Sequence, residues 1–166
     1  LHVVLAVDRG GLVGEDGETH QGIFDIAYLS SVPGMSILCP AIFSELKAML
    51  EHALFKMRGP VAVRYPRGGE GRFRQNLGVE GTAMARRGND ITLIAYGTMI
   101  NVALDAADQL EQQGISVRVL KLNSIRPLDI GPIQQAALET RHLLVAEECG
   151  SPGCAGHQIA AKLLET

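Results

Sequence analysis

Tryptophan is absent from this 166-residue sequence, and aromatic residues make up only 4% of it. Proteins that bind single-stranded nucleic acid need aromatic side chains on which bases stack, so this class is disfavoured. The charge balance points the same way, because 15 Lys and Arg stand against 18 Asp and Glu, giving a formal net charge of −3. A nucleic-acid-binding surface needs a basic excess. We therefore expect no nucleic-acid partner.

Long hydrophobic runs are also missing. No run approaches the roughly 20 apolar residues that a membrane span needs, and no basic segment precedes the apolar start, as it would in a signal peptide. The three cysteines are an odd number, which argues against a disulfide framework and for a reducing compartment. The sequence opens with Leu1 rather than a methionine. We expect a piece of a longer protein, with no membrane partner.

Short apolar runs alternate with amphipathic helical patterns along most of the chain. Strand, helix and strand in repeated order predict an α/β fold, in which parallel sheets carry helices on their faces. The first strand is a continuous apolar run, which is typical of a buried strand. Strands are predicted at 2–7, 35–39, 61–65, 91–96, 115–120 and 142–146, and helices at 23–31, 42–57, after Thr98, 133–140 and 154–164.

One segment interrupts this alternation. Residues 68–90 are rich in Gly, Arg and Asn and only weakly periodic, which is typical of an interdomain connection, with a short strand expected near Val79. The segment separates two parallel-sheet units, residues 1–69 and 90–166. Each unit is small for an independent parallel α/β core, so the first is expected to lack strands that would precede Leu1.

The loop after the first strand is the first candidate site, because ligands bind beyond the carboxyl ends of parallel strands. This loop, residues 8–22, is rich in glycine, which lets the backbone approach a ligand closely. It carries Arg9, Asp16 and His20, which are a cation, a carboxylate and a group that transfers protons near neutral pH. A polar surface loop without a ligand is the alternative. The length of this loop and its position after a predicted buried strand favour a ligand-binding site.

A second arginine follows the strand at 61–65. Pro66 fixes the backbone there, and Arg67 comes directly after it. Guanidinium groups prefer planar anions such as phosphate, which they hold with two donors at once. Arg9 and Arg67 are therefore predicted to form a phosphate clamp, which we call the arginine clamp. The alternative is that Arg64 or Arg67 pairs with a carboxylate as a structural ion pair, and this is the interpretation of Arg64, which lies within the strand.

A third loop, residues 147–156, opens a predicted helix. A glycine-rich turn in that place can hold an anion at the helix N-terminus, but the spacing G-x-x-G-x-x-G is a weak dinucleotide signal. Cys149, Cys154 and His157 do not have the spacing of a zinc knuckle, so a metal site is disfavoured.

Three further residues receive structural interpretations. Cys39, at a strand end, is expected to be a small core residue. Asp25 and Glu45 lie in predicted helices and are expected to be surface or capping charges.

Together, these loops resemble the 1-deoxy-D-xylulose-5-phosphate synthase family of transketolase-like enzymes. Residues 8–22 read D-R-G-G-L-V-G-E-D-G-E-T-H-Q-G, similar to the family pattern D-R-x-G-x-V-G-x-D-G-x-T-H-x-G. Residues 64–68 read R-Y-P-R-G, as the family does, and the stretches P-L-D at 127–129 and E-E at 147–148 look like its C-terminal domain. Gly10 stands where the family usually has alanine, and we expect no effect because both residues are small.

The resemblance implies a fold and a reaction. Residues 1–69 would be the C-terminal half of a pyrimidine-binding domain, 70–89 an interdomain connection, and 90–166 a truncated transketolase C-terminal domain. The family is a transferase that condenses pyruvate with D-glyceraldehyde 3-phosphate and releases CO2. Its product, 1-deoxy-D-xylulose 5-phosphate, feeds isoprenoid, thiamine and pyridoxal synthesis. The enzyme would be a homodimer in the bacterial cytoplasm or, in a plant-type organism, the plastid.

The resemblance also implies roles for the site residues. His20 and Asp16 would be catalytic, with His20 touching the substrate and the covalent intermediate, and Arg9 and Arg67 would bind the substrate phosphate. The family's cofactors are thiamine diphosphate and Mg²⁺. We find neither the diphosphate and metal motif nor the glutamate that activates the pyrimidine ring in this sequence. The chain alone is therefore expected to be inactive.

Two alternatives stay open. One is a beta-subunit-like piece of another transketolase- or pyruvate-dehydrogenase-type enzyme, whose partner chain supplies the diphosphate domain. The other is a non-catalytic dimerisation module, because transketolase-type C-terminal domains pack at dimer interfaces. The stretch T-H-Q-G at 19–22 favours the synthase.

Overall fold

Two sheets flanked by helices make up the chain, in a computed structural model that describes residues 1–165. The first half contains β1 (Val3–Val7), α1 (Asp25–Ser31), β2 (Ser36–Leu38), α2 (Phe43–Phe55) and β3 (Pro60–Arg64). The second half contains β4 (Thr82–Arg86), β5 (Ile91–Ala95), α3 (Met99–Glu111), β6 (Val117–Leu122), β7 (Ser124–Arg126), α4 (Gly131–Thr140), β8 (Leu143–Ala146) and α5 (Ala155–Leu164). The predicted α/β class is confirmed. No helix within residues 1–165 is long and apolar enough to cross a membrane.

Both sheets are mostly parallel, with one antiparallel strand each. The first has the order β1-β3-β2-β7, in which only β7 runs antiparallel to its neighbour. The second has the order β4-β6-β5-β8, in which only β4 is antiparallel. The sequence patterns missed both antiparallel strands. β7 has only 3 residues, and β4 lies within the stretch interpreted as a connection, beyond the strand expected near Val79.

The first strand is not buried, so that prediction is wrong. β1 lies at the end of its sheet and pairs only with β3, which leaves Val3 40% and Leu5 38% exposed. A continuous apolar run is typical of a strand covered on both faces, but it does not say where in the sheet the strand will lie.

One hydrophobic cluster joins the two halves of the chain. Ile37 and Ala62, from the first sheet, belong to the same cluster as Ile94 and Leu120 from the second, and all four are fully or almost fully buried. The chain places β7 in the first sheet directly after β6 in the second. The position of one sheet therefore constrains the other.

A wholly buried ion pair also crosses between the halves. Lys121 Nζ, on β6, lies 3.0 Å from Glu45 Oε2, on α2, and neither side chain is exposed. The same Glu45 oxygen accepts a hydrogen bond from the Ala41 amide at 2.9 Å. Of the two roles expected for Glu45, the surface position is wrong, because α2 turns Glu45, Met49 and Ala53 inward. The bond from the Ala41 amide, just before α2, agrees with the capping role. Burial lowers the pKa of Lys121, and the Glu45 charge opposes that shift.

Removing the cation of this pair tests its contribution to stability. Lys121→Ala leaves the Glu45 carboxylate buried without a counter-charge, so we expect the free energy of unfolding to fall by about 3–5 kcal/mol. Urea unfolding followed by circular dichroism measures the loss. As a control, Lys47→Ala breaks an exposed pair with Glu51, whose atoms lie 4.0 Å apart, and should change stability by less than about 0.5 kcal/mol. Equal effects of the two substitutions would contradict this account.

Candidate anion-binding site

Parallel pairing of β1 with β3 brings two loops to one edge of the first sheet. Val7 pairs with Arg64 at the carboxyl ends of the two strands. The Tyr65 amide then donates to the Val7 carbonyl at 3.0 Å, and the Gly10 amide donates to the Tyr65 carbonyl at 2.9 Å. The loops that carry Arg9 and Arg67 therefore start side by side.

Both arginines of the clamp contact the same carboxylate. Arg9 Nε donates to Asp16 Oδ2 at 2.6 Å, and Arg67 Nη1 donates to Asp16 Oδ1. The Asp16 side chain is only 10% exposed, while those of Arg9 and Arg67 are 40% and 47% exposed. The structure thus brings together three of the four predicted site residues, and it does so around an acid of the chain itself.

The electrostatics of this triad keep Asp16 charged. Desolvation raises the pKa of Asp16, but the hydrogen bond from Arg9 and the charges of Arg67, Arg9 and His20 outweigh it and hold the pKa below its ordinary value. The carboxylate is therefore ionised at neutral pH. His20, the fourth predicted residue, is exposed on the same loop, and its Nδ1 lies 2.9 Å from Thr19 Oγ1.

The backbone around Arg9 is constrained by the end of its own loop. Arg9 has a φ of 60°, in the left-handed region that residues with a side chain rarely adopt. Its carbonyl accepts a hydrogen bond from the Gly22 amide at 3.0 Å. A Cβ on Gly22 would lie 2.3 Å from that carbonyl oxygen, so only glycine fits where the end of the loop passes the Arg9 carbonyl. Strained backbone held in this way is common at functional sites.

The Gln21 side chain holds the loop together by hydrogen bonds to its backbone, a role that no sequence pattern indicated. Gln21 Nε2 donates to the Val13 carbonyl at 2.7 Å and to the Gly17 carbonyl at 2.8 Å. Gln21 Oε1 accepts from the Val13 amide. Since Asp16 lies between the two bonded residues, this side chain fixes the turn that presents the carboxylate. An amide inside a glycine-rich loop is the only signal that the sequence offered.

Behind the clamp lies a buried ion pair. Arg64 Nε donates to Asp25 Oδ2 at 2.8 Å, and the Arg64 guanidinium lies 5.6 Å from the centre of the Tyr96 ring. The structural ion pair predicted for Arg64 is confirmed. The surface position expected for Asp25 is wrong, because the first turn of α1 faces the end of β3. A Cβ on Gly10 would lie 2.9 Å from Arg64 Cγ, so an alanine there would require the Arg64 side chain to shift.

Glu147 occupies the helix N-terminus that was considered as an anion site. Its carboxylate accepts hydrogen bonds from the amides of Ala155 at 3.0 Å and Gly156 at 2.8 Å, in the first turn of α5. The Tyr96 hydroxyl donates to it at 2.8 Å. The anion at this N-terminus therefore belongs to the chain.

The cysteines have little reactive character. Burial raises the pKa of the Cys39 thiol to about 12 and that of Cys149 to about 11. Cys39 is completely buried, which confirms its interpretation as a core residue. Within residues 1–165, no three His, Cys, Asp or Glu side chains are grouped to hold a metal ion.

A cavity of about 280 Å³ adjoins the clamp. Its lining is mainly apolar, with Ile42, Phe43 and Leu46 from α2 and its preceding loop, and it includes Arg67. An anion held by Arg67 would therefore have room beside it for a short carbon chain.

Two family models match this chain. The transketolase C-terminal domain matches residues 81–166, and the transketolase pyrimidine binding domain matches residues 1–69. The chain therefore belongs to the transketolase family, which agrees with its two sheets and its site at the strand ends.

Within the transketolase family, the curated relatives most similar in sequence include 1-deoxy-D-xylulose-5-phosphate synthases. A 1-deoxy-D-xylulose-5-phosphate synthase from Chlorobium luteolum is 40% identical over 168 residues, which cover 98% of this chain and 27% of the relative. The synthase from Halalkalibacterium halodurans is 42% identical over 164 residues, covering 96% and 26%. The resemblance to this synthase family is confirmed. The chain spans about a quarter of the length of these relatives.

Solved structures give the same fold. A split-gene transketolase, described as an inactive beta4 tetramer, superimposes with a TM-score of 0.88 at 31% identity, covering 99% of this chain and 54% of that one. A transketolase complex with sedoheptulose-7-phosphate from Pichia stipitis has a TM-score of 0.64 at 27% identity, covering 70% and 18%.

The family implies thiamine diphosphate, but the described residues do not fit its diphosphate and metal. Mg²⁺ needs free oxygen ligands. The inward-facing carboxylates are already bonded within the chain: Asp16 to the clamp, Asp25 to Arg64, Glu45 to Lys121 and Glu147 to α5.

The close packing of the site loop predicts unequal effects of two glycine substitutions. Gly11 has a φ of +95°, and a Cβ there would lie 2.3 Å from Glu148 Oε2. We expect Gly11→Ala to lower the free energy of unfolding by about 1–3 kcal/mol. A Cβ on Gly14, in the same loop, meets nothing within 4 Å, so Gly14→Ala should be neutral or slightly stabilising. Thermal unfolding compares them, and equal melting temperatures would refute the packing argument.

Proposed function

We propose that this chain is the part of a 1-deoxy-D-xylulose-5-phosphate synthase that binds the phosphate of the acceptor substrate. The whole enzyme would be a homodimer that uses thiamine diphosphate and Mg²⁺ to condense pyruvate with D-glyceraldehyde 3-phosphate, releasing CO2. The observation that carries the proposal is the convergence of Arg9 and Arg67 on one carboxylate at adjacent strand ends.

The chemistry of the clamp suits a phosphate ester. Two guanidinium groups present several N–H donors, and phosphate oxygens accept such charge-assisted bonds strongly. His20 lies exposed on the same loop, where its imidazole can donate a proton to, or accept one from, an acceptor carbonyl or hydroxyl. The apolar cavity beside Arg67 has room for the carbon chain.

A second candidate is a subunit of a split transketolase-type enzyme. The observation in its favour is the superposition with the split-gene transketolase, which covers 99% of this chain. Such an enzyme would take a ketose phosphate rather than pyruvate as donor, so the donor that supports turnover with a complementary chain separates the two candidates. A module that only dimerises would not need two arginines whose side chains meet beyond the ends of adjacent strands.

Removing one arginine of the clamp tests the proposed phosphate site. Arg67→Ala deletes a charged hydrogen-bond donor, so we expect the Kd for D-glyceraldehyde 3-phosphate to rise at least about tenfold, as measured by calorimetry on the 166-residue chain. Arg58→Ala is the matched control, because Arg58 is an exposed arginine before the opposite end of β3. Unchanged affinity in Arg67→Ala, or an equal loss in Arg58→Ala, would contradict the proposal.

The same proposal predicts that the chain alone is inactive. Because its described residues do not fit the diphosphate and the metal, we expect no release of CO2 from pyruvate above the buffer rate when thiamine diphosphate and Mg²⁺ are added. Labelled carboxyl carbon in pyruvate makes the assay sensitive. Sustained release in proportion to chain concentration would show that the chain carries its own cofactor site.

A further inference from the structure

The arginine clamp is not open to a ligand. The Asp16 carboxylate lies between Arg9 and Arg67 and accepts a hydrogen bond from each. These are the donors that the proposed function gives to the substrate phosphate. An anion that uses both arginines must therefore displace Asp16.

We infer that Asp16 is a built-in competitor for the arginine clamp, one that weakens the binding of every anion equally and so sets a threshold of affinity that a phosphate ester passes and a simple carboxylate does not. The inference rests on the proposed function, because the clamp is the site that Asp16 closes. Asp16 thereby sets how strongly an anion must bind to enter the clamp, and this effect comes from occupying the site before the substrate arrives.

The exchange of one anion for another explains which anions pass this threshold. A monocarboxylate that replaces Asp16 brings the same charge and the same two oxygens, so the arginines gain nothing while Asp16 loses its partners. A phosphate ester carries a charge of about −1.5 to −2 and three acceptor oxygens. Its attraction to two cations is correspondingly larger, so it retains a net affinity after displacing Asp16.

The reaction proposed above makes this threshold useful. Its two substrates are both anions, pyruvate with a carboxylate and D-glyceraldehyde 3-phosphate with a phosphate. Two bare arginines would take up either one. With Asp16 in place, pyruvate at ordinary concentrations leaves the clamp to the acceptor.

The surroundings of Asp16 suit this role. Its carboxylate is ionised, and the turn that carries it is braced by Gln21, so Asp16 returns to the clamp when the ligand leaves. Two other acids lie near the arginines. Asp8 Oδ2 is 3.5 Å from Arg9 Nη1, and Glu15 Oε2 is 4.0 Å from Arg67 Nη2, but their side chains are 48% and 89% exposed. Water and salt screen them, so they do not close the clamp.

Two probe anions distinguish competition from simple repulsion. Calorimetry at pH 8 gives the Kd of the 166-residue chain for inorganic phosphate, which is mostly a dianion there, and for acetate, a monoanion. Competition predicts that Asp16→Asn tightens both by the same factor, about fivefold, because either anion displaces the same carboxylate. If Asp16 instead only repels anions through space, its removal lowers the binding free energy of the phosphate dianion by twice as much as that of acetate. The factor by which phosphate binding tightens is then the square of the factor for acetate.

Glu15→Gln is the matched control, because it removes one negative charge from the same loop without emptying the clamp. We expect it to change either Kd by less than about twofold. The inference is supported if Asp16→Asn tightens phosphate and acetate binding by the same factor while Glu15→Gln has this small effect. A squared gain for phosphate, no gain, or weaker binding of phosphate in Asp16→Asn would overturn it.

Two further measurements keep the test decisive. If Asp16→Asn does not fold, Asp16→Ala replaces it, and in the wild-type chain the carboxyl ¹³C signal of Asp16 reports displacement directly. That signal should shift on adding phosphate, and an unchanged signal at saturation contradicts the inference.

Arg67→Ala separates the two proposals. If it abolishes phosphate binding while Asp16→Asn has no effect, only the competitor role fails, and if it leaves phosphate binding intact, the clamp itself fails.

Discussion

The parallel pairing of β1 with β3 is the constraint on which the site depends. Because Val7 lies opposite Arg64, both strands end at the same level, and the loops that follow them leave the sheet together. Arg9 and Arg67, which are far apart in the sequence, then reach one carboxylate. A shift of register would separate the two arginines along the strand direction, and the clamp would be lost without any change in its residues.

Buried charge pairs give this edge a rigid support. Arg64 binds Asp25 behind the clamp, and Lys121 binds Glu45 between the two halves of the chain. Buried pairs of this kind add little net stability, but breaking one is costly, so they favour a single arrangement of the elements they join. The site therefore depends on the second half of the chain although all four of its predicted residues lie in the first.

Local patterns predicted the helices and the parallel strands, and they placed both arginines of the clamp directly after strand ends, because each of these features depends on near neighbours or on one loop. The errors concern partners that are distant in the sequence. Asp25 is expected from the sequence to be a surface or capping charge, but its partner Arg64 lies 39 residues away and only the fold brings them together. Glu45 was misplaced for the same reason. The occupation of the clamp by Asp16 depends on the conformation of a whole loop.

A crystal structure of this chain with inorganic phosphate at saturation tests the central claim most directly. The account predicts a phosphate ion between Arg9 and Arg67, with the Asp16 carboxylate moved out of contact with both. A structure in which Asp16 still bridges the two arginines, with phosphate bound elsewhere or absent, would contradict it.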